Sequence, residues 1–82
     1  MEKLIGKVTR YFDRIHVAVI ELSAGIKLGD ELIFRKGDDE LTQTVESIQI
    51  DNQALEKASA KDTVGMEVAS EVKPGAQVYI KG

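Results

Sequence analysis

The chain spells one phrase twice. Residues 26–36 read IKLGDELIFRK and residues 72–81 read VKPGAQVYIK. In each, a β-branched residue (Ile26, Val72) precedes a lysine (Lys27, Lys73). After one free position comes glycine (Gly29, Gly75), and after two more an apolar triplet (Leu32-Ile33-Phe34, Val78-Tyr79-Ile80) closed by a base (Arg35, Lys81). Pro74-Gly75 suits the two central positions of a type II turn, because proline presets φ and glycine tolerates a positive φ. Gly29 offers the same freedom after Leu28. The phrase therefore reads as a tight turn that delivers the chain into a strand, with the glycines as backbone permission rather than a ligand loop. Two copies fall short of a repeat array, which needs at least three stacked units.

The rest of the chain is punctuated in the same way. Residues 4–12 (LIGKVTRYF) form a predicted strand, with Leu4, Gly6 and Val8 on one face and Lys7 and Thr9 on the other. Asp13-Arg14 turn the chain into HVAVIEL (16–22), apolar on both faces as a buried strand can be. After the corner comes the strand 31–36, then GDDE (37–40) as a solvated turn. Residues 41–51 read as one long strand, with Val45 and Ile48 out of phase and a bend between them. NQALEKASAKD (52–62) is the one stretch with helical composition, too short for a stable helix, and reads as an irregular crossing with one helical turn. TVGMEVA (63–69) and QVYI (77–80) close the chain as strands. Many short strands and no long helix predict an all-β barrel or sandwich, with Ala18, Ile20, Leu22, Leu32, Phe34, Ile48, Val64 and Val78 in its core.

A chain of 82 residues is a single domain, spanning 1–82. It has no cysteine, hence no disulfide, thiolate ligand or thiol nucleophile. No apolar run approaches a membrane span, and no secretory signal opens the sequence, so a soluble cytoplasmic protein is the expectation. With 11 bases against 14 acids, bulk nucleic-acid binding is not expected of the whole chain. The charge is uneven, however: residues 1–36 carry seven bases and five acids, residues 37–82 four bases and nine acids.

His16 is the only histidine, and it begins an ordinary strand. Without cysteine or a second histidine, a metal site would need carboxylates alone, and Asp38-Asp39-Glu40 lacks the spacing of a calcium loop. No catalytic residue, metal site or cofactor is expected. The cluster kept as a candidate site is Lys7, Thr9, Arg10, Tyr11, Arg14 and His16, which mixes bases with an aromatic along one hairpin, as small β-modules do to hold phosphates and stack a base. The same residues also fit a charged, solvated hairpin.

Taken in order, GKVTRYFDRIHVAVIELSAGIKLGDELIF, TVESIQIDNQALEKASAKDTVGMEVA and VKPGAQVYI resemble domain 2 of elongation factor Tu and its relatives. The matching positions include Gly6, Val8, Gly25, Ile26, Lys27, Gly29, Asp30, Val45, Ser47, Ala58, Asp62, Gly65 and Gly75; Lys61 stands where that family usually has glycine. The resemblance implies a closed six-stranded β-barrel. It also implies a tRNA-end pocket near Ser47, Ile48 and the Ile26–Asp30 corner, with Gln49 where the family carries an acidic residue. The GTPase of those factors lies in another domain, and no G-x-x-x-x-G-K-[ST] phosphate loop occurs here, so neither GTP binding nor hydrolysis is expected. The function so implied is a stand-alone, non-catalytic translation-factor-like module that binds tRNA or ribosomal RNA. The barrel also resembles the C-terminal accessory domain of collagenase-like peptidases and related tRNA-modifying enzymes. The alternative is thus a protein-interaction or accessory domain acting beside a separate enzyme, with a protein as partner.

Overall fold

The computed structural model of the chain describes residues 2–51 and 53–81. Among the described residues it is all-β, with ten strands: β1 (Glu2–Phe12), β2 (Val17–Leu22), β3 (Ile26–Lys27), β4 (Glu31–Lys36), β5 (Asp39–Thr44), β6 (Ile48–Ile50), β7 (Gln53–Leu55), β8 (Lys57–Ala58), β9 (Thr63–Glu67) and β10 (Gln77–Lys81). Every pairing is antiparallel. Eight strands form one sheet in the order β5-β4-β10-β1-β2-β9-β6-β7, and β3 and β8 form a separate two-stranded ribbon. No helix among the described residues is long and apolar enough to cross a membrane.

The inward residues of β2, β4, β9 and β10 build the core. Ala18, Ile20, Leu22, Leu32, Phe34, Ile48, Val64 and Val78 are all buried, as their alternation predicts, and Ile5, Val8, Val45, Met66 and Val72 join them. Strand β1 departs from simple alternation. Its register slips between Leu4 and Gly6 against β10, and again between Val8 and Arg10 against β2. A bulge puts two residues opposite one and exchanges the faces, so Ile5 is buried while Leu4 stays about half exposed. Gly6 serves close approach: a Cβ there would lie 2.6 Å from the Glu21 carbonyl oxygen.

The repeated phrase marks a pseudo-two-fold relation between the halves of the molecule. Its two copies are offset by 46 residues, and Ile33 pairs directly with its own counterpart, Tyr79. The same offset relates Val19 and Gly65, which also pair with each other. Both phrases turn alike. Asp30 N–H donates to Lys27 O and Ala76 N–H to Lys73 O, and Gly29 and Gly75 have φ of 92° and 91°. Each turn then clamps one valine of a neighbouring segment. Gly29 N–H donates to Val45 O while Val45 N–H donates to Asp30 O; Gly75, Val8 and Ala76 repeat the arrangement. Val45 is thus the counterpart of Val8, and β5 that of the first half of β1: Gln43 pairs with Leu32 as Gly6 pairs with Val78.

Three expectations need correcting. Residues 41–51 are not one strand. The clamp on Val45 draws residues 45–47 out of the ladder, leaving β5 on β4 and β6 on β9 and β7. Residues 52–62 contain no helical turn among those described: β7 and β8 occupy 53–58, and Ser59–Asp62 form a third turn clamped on Leu22. Sheet and ribbon pairing outweigh the weak local helical preference of this stretch. Finally, the backbone ladder is not a closed ring of six strands but an eight-stranded sheet with β5 and β7 at its edges. Its separated parts meet through side chains instead. The Gln43 amide on β5 donates to Glu67 O (3.0 Å) and accepts from Ala69 N–H (2.8 Å), and Ser47 Oγ accepts from Glu67 N–H (3.2 Å).

Candidate functional site

The predicted basic hairpin is divided between two faces. Lys7 and Arg10 are exposed on the outer face of β1, opposite Glu21 and Val19. Thr9 sits at the bulge between them, its hydroxyl 3.4 Å from Val19 O. Arg14 is exposed in the turn. Tyr11 turns inward and packs against the core. Its hydroxyl lies 3.4 Å from His16 Nδ1, at the long limit of a hydrogen bond. His16 takes a positive φ of 55° at the end of the turn, and its carbonyl accepts from Val68 N–H. Gln49 lies on β6, in the row Arg10–Val19–Gly65–Gln49. Three strand spacings of about 4.8 Å separate it from Arg10.

This arrangement does not assemble a base-stacking platform. The aromatic ring exposed here belongs to Phe12, and Ile15, in the turn that follows, is the most exposed large apolar residue among those described. Lys7, Arg10 and Gln49 share an outer surface with the half-exposed Val17 and Val19. No group of three or more His, Cys, Asp or Glu side chains poised for a metal occurs among the described residues.

The Ile26–Asp30 corner is well organised. Asp30 accepts from Lys27 N–H at 2.9 Å and from Lys27 Nζ at 2.8 Å. Burial pushes the Asp30 carboxyl pKa up, but the Lys27 side-chain and backbone hydrogen bonds and the Lys27 charge outweigh it and hold the pKa below the usual aspartate value. The Ser59–Asp62 turn repeats the device, with Ser59 N–H donating to the Asp62 carboxylate. Here Lys61 occupies the glycine position at φ 75°.

An opening in the molecule lies along residues 70–73, outside the predicted site. It is a cleft of about 350 Å³ between β5 and this segment, with Phe34, Leu41 and Val72 in its lining and Lys36, Glu71 and Lys73 among its charged residues. Lys36 Nζ reaches across to donate to Pro74 O at 2.6 Å. The repeated phrase was the available signal for this place, since Val72-Lys73 is the copy of Ile26-Lys27.

No family model matches the chain. Among curated proteins it is 34% identical over 77 residues to an uncharacterized protease of Methanocaldococcus jannaschii and 31% identical over 77 residues to a collagenase of Porphyromonas gingivalis. These alignments cover 93% and 92% of the chain but only 19% and 21% of the relatives, so the chain spans about a fifth of their length. Among solved structures it is similar to the C-terminal domain of a protein from Geobacillus thermoleovorans assigned as a U32 peptidase. The TM-score is 0.90 at 20% identity, covering 98% of this chain and 93% of that one. The selenomethionine form of that domain matches with a TM-score of 0.86. These findings overturn the translation-factor reading: the sequence relatives are a protease and a collagenase, and the fold recurs nearly whole as a peptidase C-terminal domain. The elongation-factor motifs lie in turns and core strands, and such residues specify a β architecture rather than a ligand.

Proposed function

We propose that the chain is a non-catalytic accessory domain that works beside a peptidase of the collagenase-like class, in the role of a C-terminal domain of such an enzyme. One observation carries this reading: nearly the whole chain superposes on nearly the whole of a domain described as the C-terminal part of a U32 peptidase. The curated protease and collagenase support it, since each aligns with the chain over about a fifth of its own length and has ample further sequence for a catalytic body.

In this reading the curled sheet acts as a barrel of six staves. β5 and β6 count as one stave broken at residues 45–47, with Gln43 and Ser47 bridging the joint to β9 and the residues just after it. Such closure leaves less free edge than an open sheet of the same strands. The partner is a protein, either the catalytic body or its polypeptide substrate.

A domain exchange tests the proposal. The matching 77-residue stretch of the Porphyromonas gingivalis collagenase is deleted in one variant and replaced by this chain in another, and hydrolysis of denatured collagen is followed. The expected result is loss of activity on deletion and recovery in the chimera, with the isolated chain inactive. A chimera no better than the deletion, or hydrolysis by the isolated chain, would refute the accessory role.

A further inference from the structure

The pseudo-two-fold relation has one gap. In the first half, Ile26-Lys27 (β3) is paired by β8, with Ile26 opposite Ala58 and Lys27 opposite Lys57. A further bond extends the pairing, from Leu28 N–H to Glu56 O. Strand β8 belongs to the 51–58 stretch that separates β6 from the Ser59–Asp62 turn. The first half has no counterpart of it, because β1 ends at Phe12 and passes straight into the turn before β2. The copy of β3 in the second half, Val72-Lys73, therefore has no ladder partner among the described residues. Ser70, Glu71 and Val72 likewise take no part in the backbone hydrogen bonds of the described turns and loops.

We infer that the Val72-Lys73 segment is a receptor site for an extended polypeptide, held by backbone pairing as β3 holds β8. The occupant is a stretch of chain in β conformation with a small side chain opposite Val72, as Ala58 stands opposite Ile26 in the occupied copy. The cleft along residues 70–73 leaves room beside this backbone, and it is bounded on its other side by β5, an edge strand of the sheet. In antiparallel pairing every second residue of such an edge turns its N–H and C=O away from its one neighbour. Adding a strand to a free edge is a recurrent mode of peptide recognition, in which main-chain bonds give affinity independent of sequence.

Pro74 refines the inference. It stands where Leu28 donates to Glu56 O, and proline has no N–H to give. The second site offers one hydrogen bond fewer than the first, which suits a ligand that exchanges rather than a strand that stays. Asp39, Glu40 and Glu71 stand with Lys36 and Lys73 around the cleft, so both signs of charge are present and main-chain pairing, not net charge, is the basis of the proposed binding. The inference deepens the accessory-domain reading, since it names a polypeptide chain as what the domain holds, but its test is read on this chain alone.

The molecule supplies its own probe. Residues 53–58, QALEKA, contain the strand that fills the first site. An acetylated and amidated peptide of this sequence is titrated to millimolar concentration into the ¹⁵N-labelled chain. Saturable amide shifts are expected at Ser70, Glu71, Val72 and Lys73. Two further peptides are N-methylated on alternate amides. The one blocked on its paired edge should bind about tenfold more weakly or not at all, and the other like the parent. Because the change is in the peptide, folding of the protein is not at stake. Absence of saturable shifts at 70–73, shifts confined to β7, or equal binding of both methylated peptides would overturn the inference. A working collagenase chimera together with a failed titration would remove the receptor site and leave the accessory role standing.

Discussion

Gln43 joins β5, one edge of the sheet, to the end of β9 and the residues just after it, and replacing it tests whether that joint matters. Its amide makes two hydrogen bonds, at 3.0 and 2.8 Å, to backbone groups of Glu67 and Ala69. The pair flanks Val68, the dyad counterpart of Leu22, which Gly6 meets directly in the other half. A side-chain amide thus does for one half what a close backbone approach does for the other. A hydrogen bond contributes about 0.5–1.5 kcal/mol net. Gln43 is half-buried, so water replaces part of what is lost. Gln43→Leu, which keeps the bulk and removes both bonds, should therefore cost about 2 kcal/mol. A domain of this size has a total stability of roughly 4–12 kcal/mol, so the loss should be plain in urea unfolding as a lowered midpoint with an unchanged slope. Gln43→Glu is the sharper probe. Its carboxylate can still accept from Ala69 N–H but sets an oxygen against Glu67 O, and should be at least as damaging at neutral pH and milder once protonated. Amide exchange localises the effect, because Ala69 N–H should lose protection in the leucine variant. If Gln43→Leu unfolds within about 0.3 kcal/mol of the parent and Ala69 exchanges as before, the joint is not held by this side chain and the reasoning fails.

Three other outcomes follow from the structure. Lys61→Gly should stabilise the chain by about 1 kcal/mol in thermal or urea unfolding, because a left-handed φ of 75° strains a residue with a Cβ and suits glycine; a neutral or destabilising result would mean that the lysine gains its place otherwise. Phe34→Ala, which empties a side chain 2% exposed in the core, should cost about 3–5 kcal/mol and leave a marginal fold, seen as a lost or strongly lowered thermal transition. The folded Asp30 pKa is depressed, so its contribution is present above the ordinary aspartate range near pH 4 and lost as pH falls through the lower folded value. The stability gap between the parent and Asp30→Asn should therefore narrow below about pH 4, and a gap constant from pH 6 to pH 2 would contradict the assignment.

The parts of this architecture that were legible in the sequence are those where one residue type decides one backbone state. Gly29, Pro74 and Gly75 announced their turns because few residues accept those dihedrals, and β2 announced its buried face through Ala18, Ile20 and Leu22. Residues whose fate depends on distant partners were not legible. Leu4 and Ile5 exchange faces through a bulge set by β10 and β2, which local alternation does not encode. Val45 leaves its strand because a turn from 16 residues earlier clamps it. Tyr11 reads as an exposed aromatic among bases, yet the same bulges that shift β1 turn it inward. The candidate site suffered most, since charge and aromaticity along one hairpin were read without the faces on which they fall. The repeated phrase marks both β3 and the segment that has no ladder partner among the described residues.

The place of β10 has a consequence for how the chain comes into being. This last strand does not close the sheet from outside; it lies in the middle, between β4 and β1. Until residues 77–81 have emerged from the ribosome, β1 and β4 have no strand between them. The β1–β2 and β4–β5 hairpins, β9 on β2 and on β6, and the β6–β7 and β3–β8 pairs can form earlier. Pairings between strands far apart in sequence make folding of such a topology slow, on the scale of milliseconds to seconds. A nascent chain stalled anywhere before Gln77 would present two incomplete sheets with open edges, which the five residues of β10 join into one sheet.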